Sequence, residues 1–103
     1  MIVESTLYWA RDGAVEAVLA QRRAASALRV RLGLPPGCIV RRLDGDGPDV
    51  RWECRFATRE EHALDLAART ASPEFGTARQ AMRALLARFE RQVEESVDWM
   101  SAR

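Results

Sequence analysis

Arg88-Phe89-Glu90-Arg91-Gln92-Val93-Glu94-Glu95-Ser96-Val97-Asp98-Trp99 is the stretch on which the fold turns, because two periodicities run through it together. Leu86, Phe89, Val93, Val97 and Met100 recur at helical spacing, whereas Val93, Glu95, Val97 and Trp99 alternate as on a strand. No glycine or proline divides the segment, and propensity favours helix from Arg88 to Glu95. The elements before it weigh the other way. A first strand left at a sheet edge presents unpaired amides and carbonyls, which a closing strand would cover. A strand near Gln92 to Asp98 is therefore expected.

Working back from there, Ile2 to Trp9 reads as the first strand, rich in β-branched and aromatic residues. Val3, Ser5 and Leu7 share one face, and Glu4, Thr6 and Tyr8 the other. Asp12 is expected to cap a helix whose apolar stripe is Val15, Val18, Ala25, Leu28 and Leu32. Gly33, Pro35 and Pro36 end it. Cys38 to Leu43 and Val50 to Phe56 flank Asp44-Gly45-Asp46-Gly47-Pro48, a run suited to a hairpin loop. Val50, Trp52, Cys54 and Phe56 then form a core face, opposite the charged Arg51, Glu53 and Arg55. Thr58-Arg59-Glu60-Glu61 has the capping-box pattern, with Glu61 reaching back to the cap, and Leu64, Ala67, Ala68 and Ala71 follow as a stripe. Ser72-Pro73 restarts a helix that carries Phe75, Ala78, Met82, Leu85, Leu86 and Phe89.

A chain of 103 residues sits at the size of one domain, expected over residues 1–103. A net charge of +1 supplies no excess field for nucleic acid or anionic lipid, so neither is expected as a partner. Met1-Ile2-Val3-Glu4-Ser5 lacks a basic region before a long apolar stretch, so no secretory signal is expected. Arg22, Arg23, Arg29 and Arg31 interrupt the longest helix, which excludes a membrane span there. A cytoplasmic protein is expected, with Cys38 and Cys54 as thiols; two cysteines and one histidine do not make a four-ligand zinc site.

With these elements in place the chain resembles the ferredoxin-like proteins that pair as dimeric α/β barrels, near antibiotic-biosynthesis-type monooxygenases and NIPSNAP-like proteins. The carriers are Ile2-Val3-Glu4-Ser5-Thr6-Leu7, Trp52-Glu53-Cys54-Arg55-Phe56-Ala57-Thr58-Arg59-Glu60-Glu61-His62-Ala63, and Ser72-Pro73-Glu74-Phe75 opening the late helix. The resemblance implies an α+β, βαββαβ fold: an antiparallel four-stranded sheet with helices on one face, dimerising through the bare face into a barrel. Any ligand would sit between a sheet and its own helices. Glu4, Thr6, Tyr8, Arg51, Glu53 and Arg55 are expected together on the bare face, as intersubunit ion pairs or as a solvated surface. Heme-degrading relatives use an asparagine, a tryptophan and a histidine where this chain has Ser5, Phe56 and Arg79, so a heme ligated by imidazole is not expected, nor is any other cofactor. Cofactor-free quinol oxygenases of the superfamily often orient substrate with asparagine, which this chain lacks.

The ligand pocket is expected to draw on Ser5, Trp52, Cys54, Phe56 and Met82, with His62 and Arg79 as weak catalytic candidates. His62, the one histidine, suits a neutral general base near a helix N-terminus. Asp65 and Leu66 as its helical neighbours suit a structural histidine equally well, and that reading carries more weight. Cys38 and Cys54 are expected on the same sheet face, as buried thiols ahead of a redox pair. Trp52 and Trp9 suit core packing ahead of ligand stacking. Arg22, Arg79 and Ser5 are the polar residues expected to intrude on the pocket and anchor an anionic or phenolic group. The leading function is a homodimer binding a small apolar or aromatic metabolite; the alternatives are a cofactor-independent monooxygenase on a quinol-like substrate and a non-catalytic structural or regulatory module. RNA recognition by this element order needs aromatics on the open face of the third strand, where the sequence has Arg51, Glu53 and Arg55.

Overall fold

In the computed structural model, which describes residues 1–97, the order is β1 (Ile2–Ala10), α1 (Val15–Arg31), β2 (Cys38–Arg41), β3 (Val50–Phe56), α2 (Arg59–Thr70), α3 (Pro73–Arg83) and β4 (Leu86–Glu95). The strands form one antiparallel sheet in the order β2-β3-β1-β4, backed by the helices, which is the expected ferredoxin-like α+β arrangement. The ambiguous stretch is a strand. It pairs with β1 from Ile2↔Glu95 to Ala10↔Leu86, with a register shift between Trp9 and Ala10. The ladder satisfies the β1 edge and overrides local helix propensity. The strand starts earlier than expected: α3 stops at Arg83, so Leu86 and Phe89 belong to β4 and not to the helix. Asp98, Trp99 and Met100, which entered the reading of this segment, lie outside the described residues.

The registers reverse the expected faces of β1. Glu4 pairs with Cys54, Thr6 with Trp52 and Tyr8 with Val50, so Glu4, Thr6 and Tyr8 lie on the helix-covered face. Val3, Ser5 and Leu7 lie on the bare face with Arg51, Glu53 and Arg55. The apolar look of Val3 and Leu7 misled, because Glu4 finds its charge partners beneath the helices. Cys38 pairs with Glu53, on the bare face, so it lies on the side of the sheet opposite Cys54, and the expected shared face is corrected.

Helix caps follow the sequence with two exceptions, and one helix shows an unexpected face. Gly33 takes φ +78° while its amide bonds to Val30 and that of Leu34 bonds to Arg29, closing α1 with the left-handed turn expected. Thr58 Oγ1 accepts from Glu61 N at 3.1 Å and Ser72 Oγ from Phe75 N at 3.4 Å. The capping carboxylate of Glu61, however, accepts from Ala57 N, one residue before the cap. Asp12 caps nothing: α1 begins two residues later, after Ala14, which makes no side-chain cap. In α2 the apolar stripe faces out, with Leu64 72% exposed, while His62 and Asp65 are buried. That helix is rotated by the charges it must satisfy.

The core joins Ile2, Tyr8, Val50, Trp52, Cys54 and Phe56 of the sheet to Val18 and Leu19 of α1, Met82 of α3 and Leu86. Each large apolar side chain so buried contributes roughly 1.5–3 kcal/mol. Within α1, Arg22 and Arg29 fall on the buried stripe beside Val18, Ala25 and Leu28. Two guanidinium groups therefore enter the layer between helices and sheet, and they define the site.

Candidate functional site

At one end of that layer the charges are fully paired. Arg29 of α1 holds Asp65 of α2 with Nη2 at 2.6 Å and Nη1 at 3.2 Å, and its Nε donates to Pro35 O at 2.6 Å. Asp65 is also paired across one helical turn with Arg69, whose Nε lies 3.0 Å from Oδ1 without an aligned hydrogen bond. Arg69 in turn grips Glu4 through Nη2–Oε1 at 2.8 Å and Nη1–Oε2 at 3.0 Å. Arg91 of β4 donates to Oε2 at 3.2 Å and His62 Nε2 lies 2.8 Å from Oε1. One chain of charge thus runs from α1 through α2 to β1 and β4.

Glu4, 0% exposed, would have its pKa raised by burial alone; the hydrogen bonds from Arg69 and Arg91, the Arg69 charge and the His62 contact outweigh burial and bring it to about 2. Being an anion, Glu4 is the acceptor, so His62 Nε2 carries the proton between them. The four acceptor positions of a carboxylate are filled, two on each oxygen. A carboxylate held this low and this fully bonded is a poor general base near neutrality.

The other end of the layer is open. A cavity of about 340 Å³ lies between β1, β4 and the three helices. That volume falls within the range typical of small-molecule sites. Phe75, Ala78, Met82 and Leu86 give it an apolar wall, and Tyr8, Arg22, Arg79 and Arg83 bring polar groups to it, alongside Glu4, Arg69 and Arg91 from the paired chain. Arg22 donates from Nη1 to the Tyr8 hydroxyl at 3.1 Å and lies 4.6 Å from the centre of the Trp52 ring. Burial draws the Arg22 pKa down, and the Tyr8 contact opposes that shift.

Of the residues expected at the site, Arg22, Arg79 and Met82 line this cavity. Trp52, Cys54, Phe56 and His62 lie in the packed layer beside it: Trp52 donates from Nε1 to Pro36 O at 2.9 Å, and His62 packs tilted on Phe56 with ring centres 4.9 Å apart. Arg29 Nη2 reaches Cys54 Sγ at 3.8 Å, yet burial dominates and raises the thiol pKa, which keeps it unreactive. Ser5 is buried on the opposite face of the sheet, away from all of them, which corrects its expected place beside Trp52. Sequence reasoning missed Glu4, Tyr8 and Arg29 as members of the layer. The signal was present in α1, where Val18, Arg22, Ala25 and Arg29 repeat at three and four residues, so both arginines had to share the buried stripe.

No family model matches the chain, and no curated protein does. Solved structures do match in fold. An uncharacterized NIPSNAP domain protein from Burkholderia xenovorans superposes with TM-score 0.74 at 14% identity, over 94% of this chain and 95% of that one. A putative antibiotic biosynthesis monooxygenase from Nitrosomonas europaea gives 0.69 at 16% identity, over 95% and 100%. A dimeric protein of unknown function and ferredoxin-like fold from Bacteroides fragilis gives 0.69 at 14%, over 92% and 95%. The chain is similar in fold to NIPSNAP-type and antibiotic-biosynthesis-monooxygenase-type proteins, as the strand and capping patterns of its sequence lead one to expect.

Proposed function

We propose that the chain, as one domain, forms a homodimer that binds a small apolar or aromatic metabolite between the sheet and its own helices, in the cytoplasm and without a cofactor. The observation that carries the reading is the cavity of about 340 Å³ with Phe75, Met82 and Leu86 on its wall. Arg79 and Met82 are its ligand-facing residues; Trp52, Cys54 and Phe56 shape it from the neighbouring core. His62 and Glu4 serve to hold the layer together and do not act on a substrate. A monooxygenase reading rests on likeness of fold alone, and fold does not carry chemistry.

Support for self-association comes from the bare face. Val3, Leu7 and Trp9 are only half-buried along the central strand, while Arg51–Glu53–Arg55 and Arg88–Glu90 pair their charges within each strand. A face whose charges are already neutralised loses less on being covered. Among the described residues no helix is long and apolar enough to cross a membrane.

Thermal denaturation with quinols and flavonoids, read beside native mass spectrometry for a retained molecule, tests the binding. Saturation at a hundredfold excess over Kd adds about 2.7 kcal/mol of stability, and Met82→Trp, which fills the cavity, should abolish the gain. Absence of both stabilisation and retained ligand overturns the reading. Sedimentation at twice the chain mass of 11.6 kDa is expected, and a monomer at micromolar concentration overturns the dimer.

A further inference from the structure

Arg22 is a buried cation without a counter-charge. It is 8% exposed, and its partners are the Tyr8 hydroxyl, Ser26 Oγ at 3.4 Å and the Trp52 ring, all neutral. Its Nε is buried with no hydrogen-bond partner, and among the described residues no carboxylate lies within ion-pair distance of it. A guanidinium stays charged even when buried, so such a group is costly until an anion joins it.

The cavity around Arg22 carries the same imbalance. Arg79 and Arg83 stand one turn apart on α3, both line the cavity, and neither pairs with a carboxylate among the described residues. Like charges at that spacing repel each other. Glu4 also lines the cavity, but its charge is already met by Arg69, Arg91 and His62. Tyr8 accepts from Arg22, which leaves its own proton for an acceptor in the cavity. Facing these donors is the apolar wall of Phe75, Met82 and Leu86.

We propose that the cavity receives an aryl or alkyl monocarboxylate, its carboxylate on Arg22 and Tyr8, its body on Phe75, Met82 and Leu86, and the exposed Arg79 and Arg83 at the rim. This inference rests on the small-molecule reading above and adds the ligand's charge to it. Arg22 binds by a charge-assisted, planar donor set that suits a carboxylate's two oxygens. The apolar wall then separates an organic acid from a bare inorganic anion.

Calorimetric titration of the full chain with cinnamate, cinnamamide and inorganic phosphate decides it. Cinnamate should bind roughly tenfold to a hundredfold more tightly than the amide, and Arg22→Met should bring the two to near equality. Arg79→Gln, at an exposed position, should narrow the preference by roughly twofold to fivefold, and serves if the Arg22 variant fails to fold. Equal affinity of the wild type for acid and amide overturns the carboxylate assignment and leaves the cavity reading standing. Phosphate binding as tight as cinnamate overturns the organic body. Absence of binding by all three, with quinols and flavonoids also inert, removes both readings together.

Discussion

The two ends of the layer between sheet and helices treat buried charge in opposite ways. Beneath α1 and α2, Arg29 and Arg69 each face a carboxylate, and Trp52, Phe56 and His62 pack the space around them. Beneath α1 and α3, Arg22 faces only neutral groups and borders a cavity. Both buried arginines of α1, Arg22 and Arg29, pack on the same indole, at 4.6 and 4.8 Å from its centre, so the contrast is in the partners and not in the position. Saturated charge fixes the fold; unsaturated charge beside empty space gives up stability and leaves a place for something else.

The contrast breaks most severely at Asp65→Asn. Arg29, with no exposed surface, would be left without its carboxylate, and an uncompensated buried charge costs about 3–5 kcal/mol. Urea denaturation should show most of the domain's stability gone. A loss no larger than that of a surface pair, about 1 kcal/mol, would mean that the paired end does not hold the fold.

Acid should act on the same end through Glu4. Its pKa is about 2 when folded against an ordinary 4.5, so the ionised carboxylate stabilises the fold fully above pH 4.5, and that stability drains away as the pH falls toward 2. The amount is on the order of 3 kcal/mol. Tryptophan fluorescence across an acid titration should follow it, and Glu4→Gln should flatten this limb; an identical limb in the variant would locate the acid sensitivity elsewhere.

Gly37 tests the packing that the two ends share. It takes φ +77°, and a Cβ there would run into the Trp52 ring and lie 2.8 Å from Glu53 O. Gly37→Ala should cost about 1–3 kcal/mol and disturb the Trp52–Pro36 hydrogen bond. A change within the error of the denaturation curve would show that the indole is free to shift.

The smallest effect, and the most telling in sign, belongs to Arg22→Met. Removing a buried cation that has no counter-charge should leave stability unchanged or raise it by about 1 kcal/mol, whereas the corresponding change at Arg29 should be strongly destabilising. A large loss at Arg22, read as a fallen Tm, would erase the distinction between the two ends.

Element order was legible because caps and breakers are local: Thr58, Ser72 and Gly33 act within a turn of where they stand. What stayed hidden was non-local. The start of β4 depends on pairing with residues more than seventy positions earlier, as in Ala10↔Leu86. The face of β1 depends on Arg69 and Arg91 arriving at Glu4 from two other elements, and so does the rotation of α2 that leaves Leu64 outside. Hydrophobic alternation assumes that charge stays out of the core, and this core is organised partly by charge. Met82 falls at the cavity because it shares one helical stripe with Phe75 and Ala78, whereas Arg79 was singled out by the family resemblance and lies exposed at the cavity's edge. Ser5 was misplaced with the rest of its strand.

The long ladder between β1 and β4 bears on how the chain is made. Glu4 leaves the ribosome well before Arg91, which completes its set of donors, and until β4 follows the edge of β1 that it covers has no neighbour. Early helices and the hairpin can gather beforehand, yet the sheet cannot close before β4 is made, because its central strand waits for that partner. Nascent copies of this polypeptide therefore expose a sticky strand until β4 emerges, and truncation within β4 should yield aggregates in place of a slightly weaker protein.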